Sequence, residues 1–225
     1  MKVQLVETAG LTTRVVNAPE GDAAATVILL HGFGAPGDDL VALAPYLRVP
    51  TRFVFPAAPT ELGGLYGDSR AWWPLDMARL EASMRSGKRD TTDVPPELAG
   101  VRAQLATLVA HYAKTSRVVL GGFSQGAMLS LDVALHGDGM LAGVVLLSGT
   151  LIAENEWTPL MPKLASTPIF MSHGRRDPLL PFAIAETLRD KLVKAGASVD
   201  WHPFDGAHEI PPSVLDGLAA FLAQR

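Results

Sequence analysis

The chain has 225 residues, of which 48% are hydrophobic and 19% are charged, and its formal net charge at pH 7 is −4. This length suits one α/β domain with a sizeable core, and the acidic balance excludes a basic surface for nucleic acid. The sequence contains no cysteine, which excludes thiol catalysis, disulfide bonds and thiolate-bound zinc.

The apolar runs of the chain are too short for a signal peptide or a membrane span. We therefore expect a cytoplasmic protein that does not insert stably into a membrane. No histidines and carboxylates have a spacing that suggests a metal site. Nothing in the pattern decides the oligomeric state, and a homodimer stays open.

Apolar runs of two kinds alternate along the chain, short ones typical of strands and longer ones with helical spacing. The predicted strands cover residues 3–6, 12–16, 25–30, 52–55, 117–120, 141–147, 167–172 and 198–203. The predicted helices run from about 38 to 46, 75–84, from about 96 to 112, 127–135, 182–195 and 212–223. This alternation predicts an α/β fold with a mostly parallel twisted sheet and helices on both faces. Residues 62–96 form the irregular part.

Four of the predicted strands end in polar, turn-rich segments. These segments are residues 31–32, 122–125, 173–177 and 205–208. Because right-handed crossovers place the carboxyl ends of parallel strands along one edge of the sheet, we expect the four segments to meet there. The sequence therefore predicts a site at this edge.

Residues 121–126 read GGFSQG and join a predicted strand directly to a predicted helix. So tight a bend strains the residue at its apex, here Ser124, and a Cβ two positions away on either side would collide across it. Gly122 and Gly126 satisfy this requirement. The stretch predicts a nucleophile elbow that exposes the hydroxyl of Ser124 at the sheet edge.

A serine hydroxyl needs a base that accepts its proton, and in this arrangement the chain order is Ser, then Asp or Glu, then His. His208 lies in the loop between the last strand and the last helix, from which its ring can reach the edge, and is the predicted base. His202 lies within the strand and is predicted to face the sheet. Asp177 follows a strand end and is the predicted acid, whereas Asp205 lies close to His208 along the chain and is a weaker candidate.

The tetrahedral intermediate of acyl transfer needs two N–H donors for its oxyanion. Gln125, at the start of the helix after Ser124, offers one backbone N–H, and Phe33, in the loop after residues 25–30, offers the other. His31 is predicted to order this loop through hydrogen bonds.

Aromatic and apolar side chains are concentrated in the irregular segment. Two adjacent aromatics diverge on either a strand or a helix, so we expect either Trp72 or Trp73 to lie near the surface. With Leu65 and Tyr66, that residue is predicted to form a substrate-binding wall beside Ser124.

Four ordered segments carry a family resemblance: LHGFGAPGDDL, VVLGGFSQGAMLSLDVAL, SHGRRDPLLPF and DGAHEIPPSVL. They resemble the phospholipase/carboxylesterase family of α/β-hydrolases, which includes acyl-protein thioesterases and small bacterial carboxylesterases. The likeness runs from about Thr26 to the C-terminus. It implies the α/β-hydrolase fold without a large cap domain, as a single domain of residues 1–225 with an irregular insertion at about 62–96.

The resemblance also implies a serine carboxylesterase that hydrolyses small to medium acyl esters or thioesters without a cofactor or a metal. It assigns the nucleophile to Ser124, the acid to Asp177, the base to His208, and the oxyanion donors to Phe33 and Gln125. The stretch RAWWPLD is more similar to bacterial members than to those that depalmitoylate proteins. Alternatives are an acyl-protein thioesterase or lysophospholipase, a peptidase or acyl transferase with the same triad, and a non-catalytic binding protein.

Overall fold

A computed structural model describes residues 2–16, 25–63, 67–86, 89–138 and 141–225 of the chain. The strands are β1 (Val3–Thr8), β2 (Leu11–Val16), β3 (Ala25–Leu30), β4 (Arg52–Pro56), β5 (Thr60–Glu61), β6 (Arg70–Ala71), β7 (Arg117–Phe123), β8 (Leu141–Leu147), β9 (Ile169–Gly174) and β10 (Val199–Phe204). The helices are α1 (Ala44–Leu47), α2 (Met77–Ser86), α3 (Leu98–Ala113), α4 (Gln125–His136), α5 (Glu154–Leu160), α6 (Phe182–Lys194) and α7 (Pro212–Leu222).

Eight of these strands form one sheet in the order β1-β2-β4-β3-β7-β8-β9-β10, while β5 and β6 pair separately. β1, β2 and β4 are antiparallel neighbours, and every pair from β4 to β10 is parallel. The prediction of a mostly parallel sheet is confirmed. Over the described part of the chain, no large cap domain covers the sheet.

Helices cover both faces of the sheet because its central strands are apolar on both sides. In β3, Val27 and Leu29 pack in the cluster that contains residues of α1 and α7. The alternate residues, Ile28 and Leu30, pack in the cluster that contains residues of α3, α4, α5 and α6. Full burial of one such side chain stabilises the fold by about 1.5–3 kcal/mol. The continuous apolar run in the sequence thus divides between two cores.

The connections of β3 create a crevice at the carboxyl edge of the sheet. From β3 the chain moves to β4 on one side, and later returns to β7 on the other side of β3. The loops after β3 and β7 therefore diverge to opposite sides, and such a switch point is where open α/β sheets bind ligands. The segment after β3 begins at His31, and the segment after β7 begins at Ser124.

Several predicted boundaries were wrong. The predicted helix from about 38 to 46 is a 3₁₀ turn (Asp39–Leu43) followed by the single turn of α1. The strand predicted at 167–172 begins two residues later, and α5 was missed altogether. α5 is short and contains Pro159, so its seven residues carry little helical periodicity.

Candidate active site

Ser124 lies between β7 and α4 with φ 55° and ψ −118°, a conformation that costs free energy for any residue with a Cβ. Its N–H donates to the carbonyl of Leu147 at 2.8 Å. A Cβ on Gly122 would lie 2.6 Å from the carbonyl oxygen of Leu30, and one on Gly126 would overlap the same oxygen. The requirement for small residues two positions either side of Ser124 is therefore confirmed.

The structure brings Asp177 and His208 together. His208 Nδ1 lies 2.6 Å from Asp177 Oδ2, while the backbone N–H groups of Leu179 and Leu180 donate to Oδ1 at 2.8 and 2.9 Å. Burial alone would raise the pKa of Asp177, but hydrogen bonds from His173, His208 and Leu180 outweigh it and hold this pKa well below its usual range. The ionised carboxylate accepts Nδ1–H of His208, which leaves Nε2 as a proton acceptor.

His173 is a residue of the site that the sequence analysis did not assign. It is the last residue but one of β9 and is completely buried, and its Nε2 lies 2.9 Å from the carbonyl oxygen of Leu180 and 3.3 Å from Asp177 Oδ2. A ring whose Nε2–H points at both acceptors adds a further hydrogen-bond donor to the buried carboxylate of Asp177. The sequence signal was present, since His173 belongs to the polar segment at the end of β9.

A cavity of about 700 Å³ at the sheet edge is lined by several of the predicted site residues. Ser124, His208, Phe33, Gln125 and Trp73 all line it. The volume is within the range of small-molecule sites in proteins.

The oxyanion donors Phe33 and Gln125 thus lie in the same cavity as Ser124, and their role stays a prediction. Gln125 is the first residue of α4, whose amino end carries a partial positive charge. The buried side chain of Gln125 binds the backbone of two neighbouring residues. Its Oε1 accepts the backbone N–H of Trp72 at 2.9 Å, and its Nε2 donates to the carbonyl of Trp73 at 2.8 Å.

His31 holds the loop after β3 and lies outside the cavity lining. Its Nε2 accepts the backbone N–H of Ala58 at 3.0 Å, and its Nδ1 lies 2.8 Å from the carbonyl oxygen of Gly32. Burial lowers the pKa of His31, against a smaller raising effect of Gly32. A neutral ring that donates from Nδ1 satisfies both contacts, in agreement with the predicted loop-ordering role.

The expectation that Trp72 or Trp73 lies near the surface is wrong, because the two residues are only 1% and 3% exposed. The two side chains do point in different directions, but neither direction leads to the outer surface. Trp72 packs against the ring of His31 and donates Nε1–H to its carbonyl at 2.9 Å, whereas Trp73 faces the cavity. Residues of α2 and 93–96 line the same cavity. Leu65 and Tyr66 lie outside the described residues.

The alternative titratable residues lie away from Ser124. His202 stacks on Phe170 with ring centroids 4.5 Å apart and lies 2.8 Å from Asp200, as expected of a histidine on the face of the sheet. Asp205 pairs with Arg176 at 2.5 Å on the surface. Neither residue lines the cavity.

Two further features of the described residues are the metal-binding side chains and the apolar character of the helices. Within the described ranges, no group of three or more His, Asp or Glu side chains could hold a metal ion. Of the helices formed by the residues that the structure describes, none has the length and apolar character needed to cross a membrane.

The sequence matches the phospholipase/carboxylesterase family over residues 11–225. Acyl-protein thioesterase 1 of Neurospora crassa is 29% identical over 213 residues, which cover 89% of this chain and 86% of that protein. Acyl-protein thioesterase 1 of Saccharomyces cerevisiae is 30% identical over 216 residues, covering 88% and 91% of the two chains. The crystal structure of a carboxylesterase from Mesorhizobium loti has a TM-score of 0.78 at 19% identity over 99% of both chains, a likeness of fold.

Proposed function

The chain belongs to the phospholipase/carboxylesterase family of α/β-hydrolases and is a hydrolase of esters or thioesters, and we propose that it acts as a serine carboxylesterase on small to medium acyl groups. In this proposal Ser124 is the nucleophile, His208 the general base and Asp177 the residue that orients and stabilises the imidazolium. No cofactor takes part.

The observation that carries the proposal is the hydrogen-bonded pair of His208 and Asp177 at the cavity that Ser124 also lines. The strained backbone of Ser124 is a second support, since local strain of this kind is concentrated at functional sites. The depressed pKa of Asp177 keeps its carboxylate charged at neutral pH, as stabilisation of an imidazolium requires.

The proposed reaction has two halves with the same proton path. Ser124 Oγ attacks the acyl carbonyl while Nε2 of His208 accepts its proton, and the backbone N–H groups of Phe33 and Gln125 stabilise the oxyanion. Nε2 then protonates the leaving alcohol or thiol as the C–O or C–S bond breaks. Water, deprotonated by the same nitrogen, hydrolyses the acyl-enzyme and restores Ser124.

The preference for small to medium acyl groups rests on the size and walls of the cavity. Its volume is about 700 Å³, and its apolar lining includes Trp73, Leu75, Leu80 and Met128. Each methylene sheltered by such a wall contributes about 0.8 kcal/mol to binding. We propose a small-molecule ester as the substrate, without nucleic acid or stable membrane insertion, and the cytoplasm as the location.

A second candidate is an acyl-protein thioesterase, because curated relatives at 29% and 30% identity carry that name. The two candidates share the chemistry and differ in the acyl carrier. Hydrolysis of a palmitoylated peptide at a kcat/KM far above that of free butyrate and hexanoate esters would favour the second candidate.

Hydrolysis of p-nitrophenyl butyrate by Ser124→Ala tests the proposed nucleophile. We expect kcat to fall by a factor on the order of 10⁴–10⁶, as removal of a triad member does elsewhere. Ser213→Ala is the control, because Ser213 is an exposed serine of α7 and does not line the cavity. If Ser124→Ala kept a tenth of the activity while Ser213→Ala matched the unmodified chain, the assignment would be wrong.

A further inference from the structure

Two arginines line the same cavity as Ser124, and their guanidinium groups differ in what they contact. Arg79 pairs with Asp90 at 3.0 Å and with Asp93 at 2.8 Å. Arg89 has no such partner: its Nε is buried without a hydrogen bond, and none of the ion pairs among the described residues includes it. The guanidinium of Arg79 is thus paired within the protein, whereas Nε of Arg89 has no hydrogen-bond partner there.

An arginine in this state is costly, because buried donors normally have a hydrogen-bond partner. Burial lowers the pKa of Arg89, with a raising effect of Asp93 and a lowering effect of Arg79. A guanidinium nevertheless keeps its charge in proteins and presents five N–H donors in a planar fork. The buried, unpaired Nε of Arg89, in the cavity that Ser124 also lines, indicates that a ligand satisfies this group.

The nearby carboxylates are already engaged with other donors. Asp90 also accepts the N–H and hydroxyl of Thr92 at 2.9 and 2.7 Å, and Asp76 accepts the backbone N–H of Arg79 at 3.0 Å. The remaining aspartate of the lining, Asp39, belongs to the 3₁₀ turn after β3. Among the described residues of the lining, two buried polar atoms have no hydrogen-bond partner, Ser83 Oγ and Arg89 Nε, and of these two groups only the arginine is charged.

Apolar side chains line the cavity together with Arg89. They include Pro74, Leu75, Leu80 and Val94. This combination of apolar walls and one unsatisfied guanidinium suits a hydrocarbon chain that ends in a carboxylate, since a planar fork matches two carboxylate oxygens at once.

We propose that Arg89 binds a carboxylate of the substrate, so that the enzyme acts on esters or thioesters that carry a carboxylate apart from the scissile bond. This inference rests on the proposed function of Ser124 and deepens it by naming a substrate class. The carboxylate belongs either to the acyl chain or to the leaving alcohol, and the two cases are separable by experiment.

The test compares kcat/KM for charged and uncharged esters in the unmodified chain and in Arg89→Gln. One arm uses mono-p-nitrophenyl esters of dicarboxylic acids from succinate to sebacate, each against the p-nitrophenyl ester of the monocarboxylic acid of equal length. The other arm compares para-acetoxybenzoate with phenyl acetate. In at least one arm, the ratio of charged to uncharged kcat/KM should fall about 10- to 100-fold in Arg89→Gln, as expected for loss of a charged hydrogen bond.

Two control variants sharpen the result. Arg85→Gln removes an exposed arginine of α2 that contacts Glu81 at 3.7 Å and does not line the cavity, and its ratio should equal that of the unmodified chain. Arg89→Lys keeps the positive charge but loses the planar guanidinium. Its ratio should therefore lie between that of the unmodified chain and that of Arg89→Gln. Thermal unfolding shows whether each variant is folded.

An unchanged ratio in both arms, or an equal loss on charged and uncharged esters, would overturn the role of Arg89. Hydrolysis of the uncharged esters by the unmodified chain, together with its loss in Ser124→Ala, is a separate result. The proposed function would stand on that result even if the ratio did not depend on Arg89.

Discussion

The sheet edge and the rim segment (residues 70–86 and 89–96) both line the cavity, but different forces fix their shapes. At the sheet edge, backbone geometry fixes the shape. Ser124 has φ 55°, and Gly122 and Gly126 pack against the carbonyl of Leu30, where a Cβ would not fit. These constraints involve neighbours in the chain and one adjacent strand. The proposed nucleophile therefore lies where close backbone packing fixes the conformation.

The rim segment depends on contacts that are distant in sequence. The side chain of Gln125 binds the backbone of Trp72 and Trp73, and Trp72 Nε1–H donates to His31. Under the proposed function, the two regions have different tasks: the reaction would take place where backbone geometry fixes the structure, and substrate selection on a segment whose tryptophans are held by side-chain hydrogen bonds. Segments of the second kind tolerate change more readily.

Removal of the base gives the largest expected effect and tests the sheet-edge half of the comparison. His208→Ala should lower kcat by a factor on the order of 10⁴–10⁶, because it removes the proposed acceptor of the Ser124 proton. His202→Ala is the matched control, since His202 stacks on Phe170 on the face of the sheet. A variant of His202 as inactive as that of His208 would refute the assignment.

Gln125→Leu separates the two regions, because it keeps the backbone N–H at the elbow and removes the contacts to the rim segment. The N–H of Trp72 and the carbonyl of Trp73 lose their partners, at about 1–3 kcal/mol each, so the free energy of unfolding should fall by about 2–6 kcal/mol. Gln104→Leu, which removes hydrogen bonds near the surface to the carbonyls of Gly10 at 3.1 Å and Ala9 at 3.4 Å, should change this free energy by less than about 1 kcal/mol. Equal effects in urea unfolding would contradict the comparison.

The smallest expected effect concerns the wall itself. Trp73→Leu should raise KM for esters of long acyl chains by about fourfold for each methylene that no longer contacts the wall. KM for acetate esters should stay nearly the same. Trp201→Leu is the control, because Trp201 is a half-buried tryptophan of β10 that does not line the cavity. If Trp73→Leu is folded and does not change how KM depends on acyl-chain length, Trp73 has only a structural role.

The same division explains what the sequence could and could not predict. The elbow, the strand-end segments and the pairing of Asp177 with His208 follow from local patterns and from parallel topology. The burial of both tryptophans does not, because it depends on contacts more than 40 residues away along the chain, with the side chain of Gln125 and the backbone carbonyl of His31. His173 was missed for a similar reason, since its contact with Asp177 arises from the turn that follows β9.

Arg89 belongs to the unpredictable class as well. In the sequence it is one residue of a charged loop, and its difference from Arg79 appears only when the partners of each guanidinium are known. Composition gave no hint of it either, because the formal net charge of −4 says nothing about a single cation inside a cavity.

The central claim is that Ser124 is a nucleophile activated by a neutral His208, and fluorophosphonate labelling tests it most directly. Peptide mass spectrometry should locate a single adduct on Ser124, and His208→Ala should be labelled far more slowly, because it lacks the proposed proton acceptor. Ser124→Ala should not be labelled. An adduct on another residue, or equal labelling rates for His208→Ala and the unmodified chain, would contradict the account.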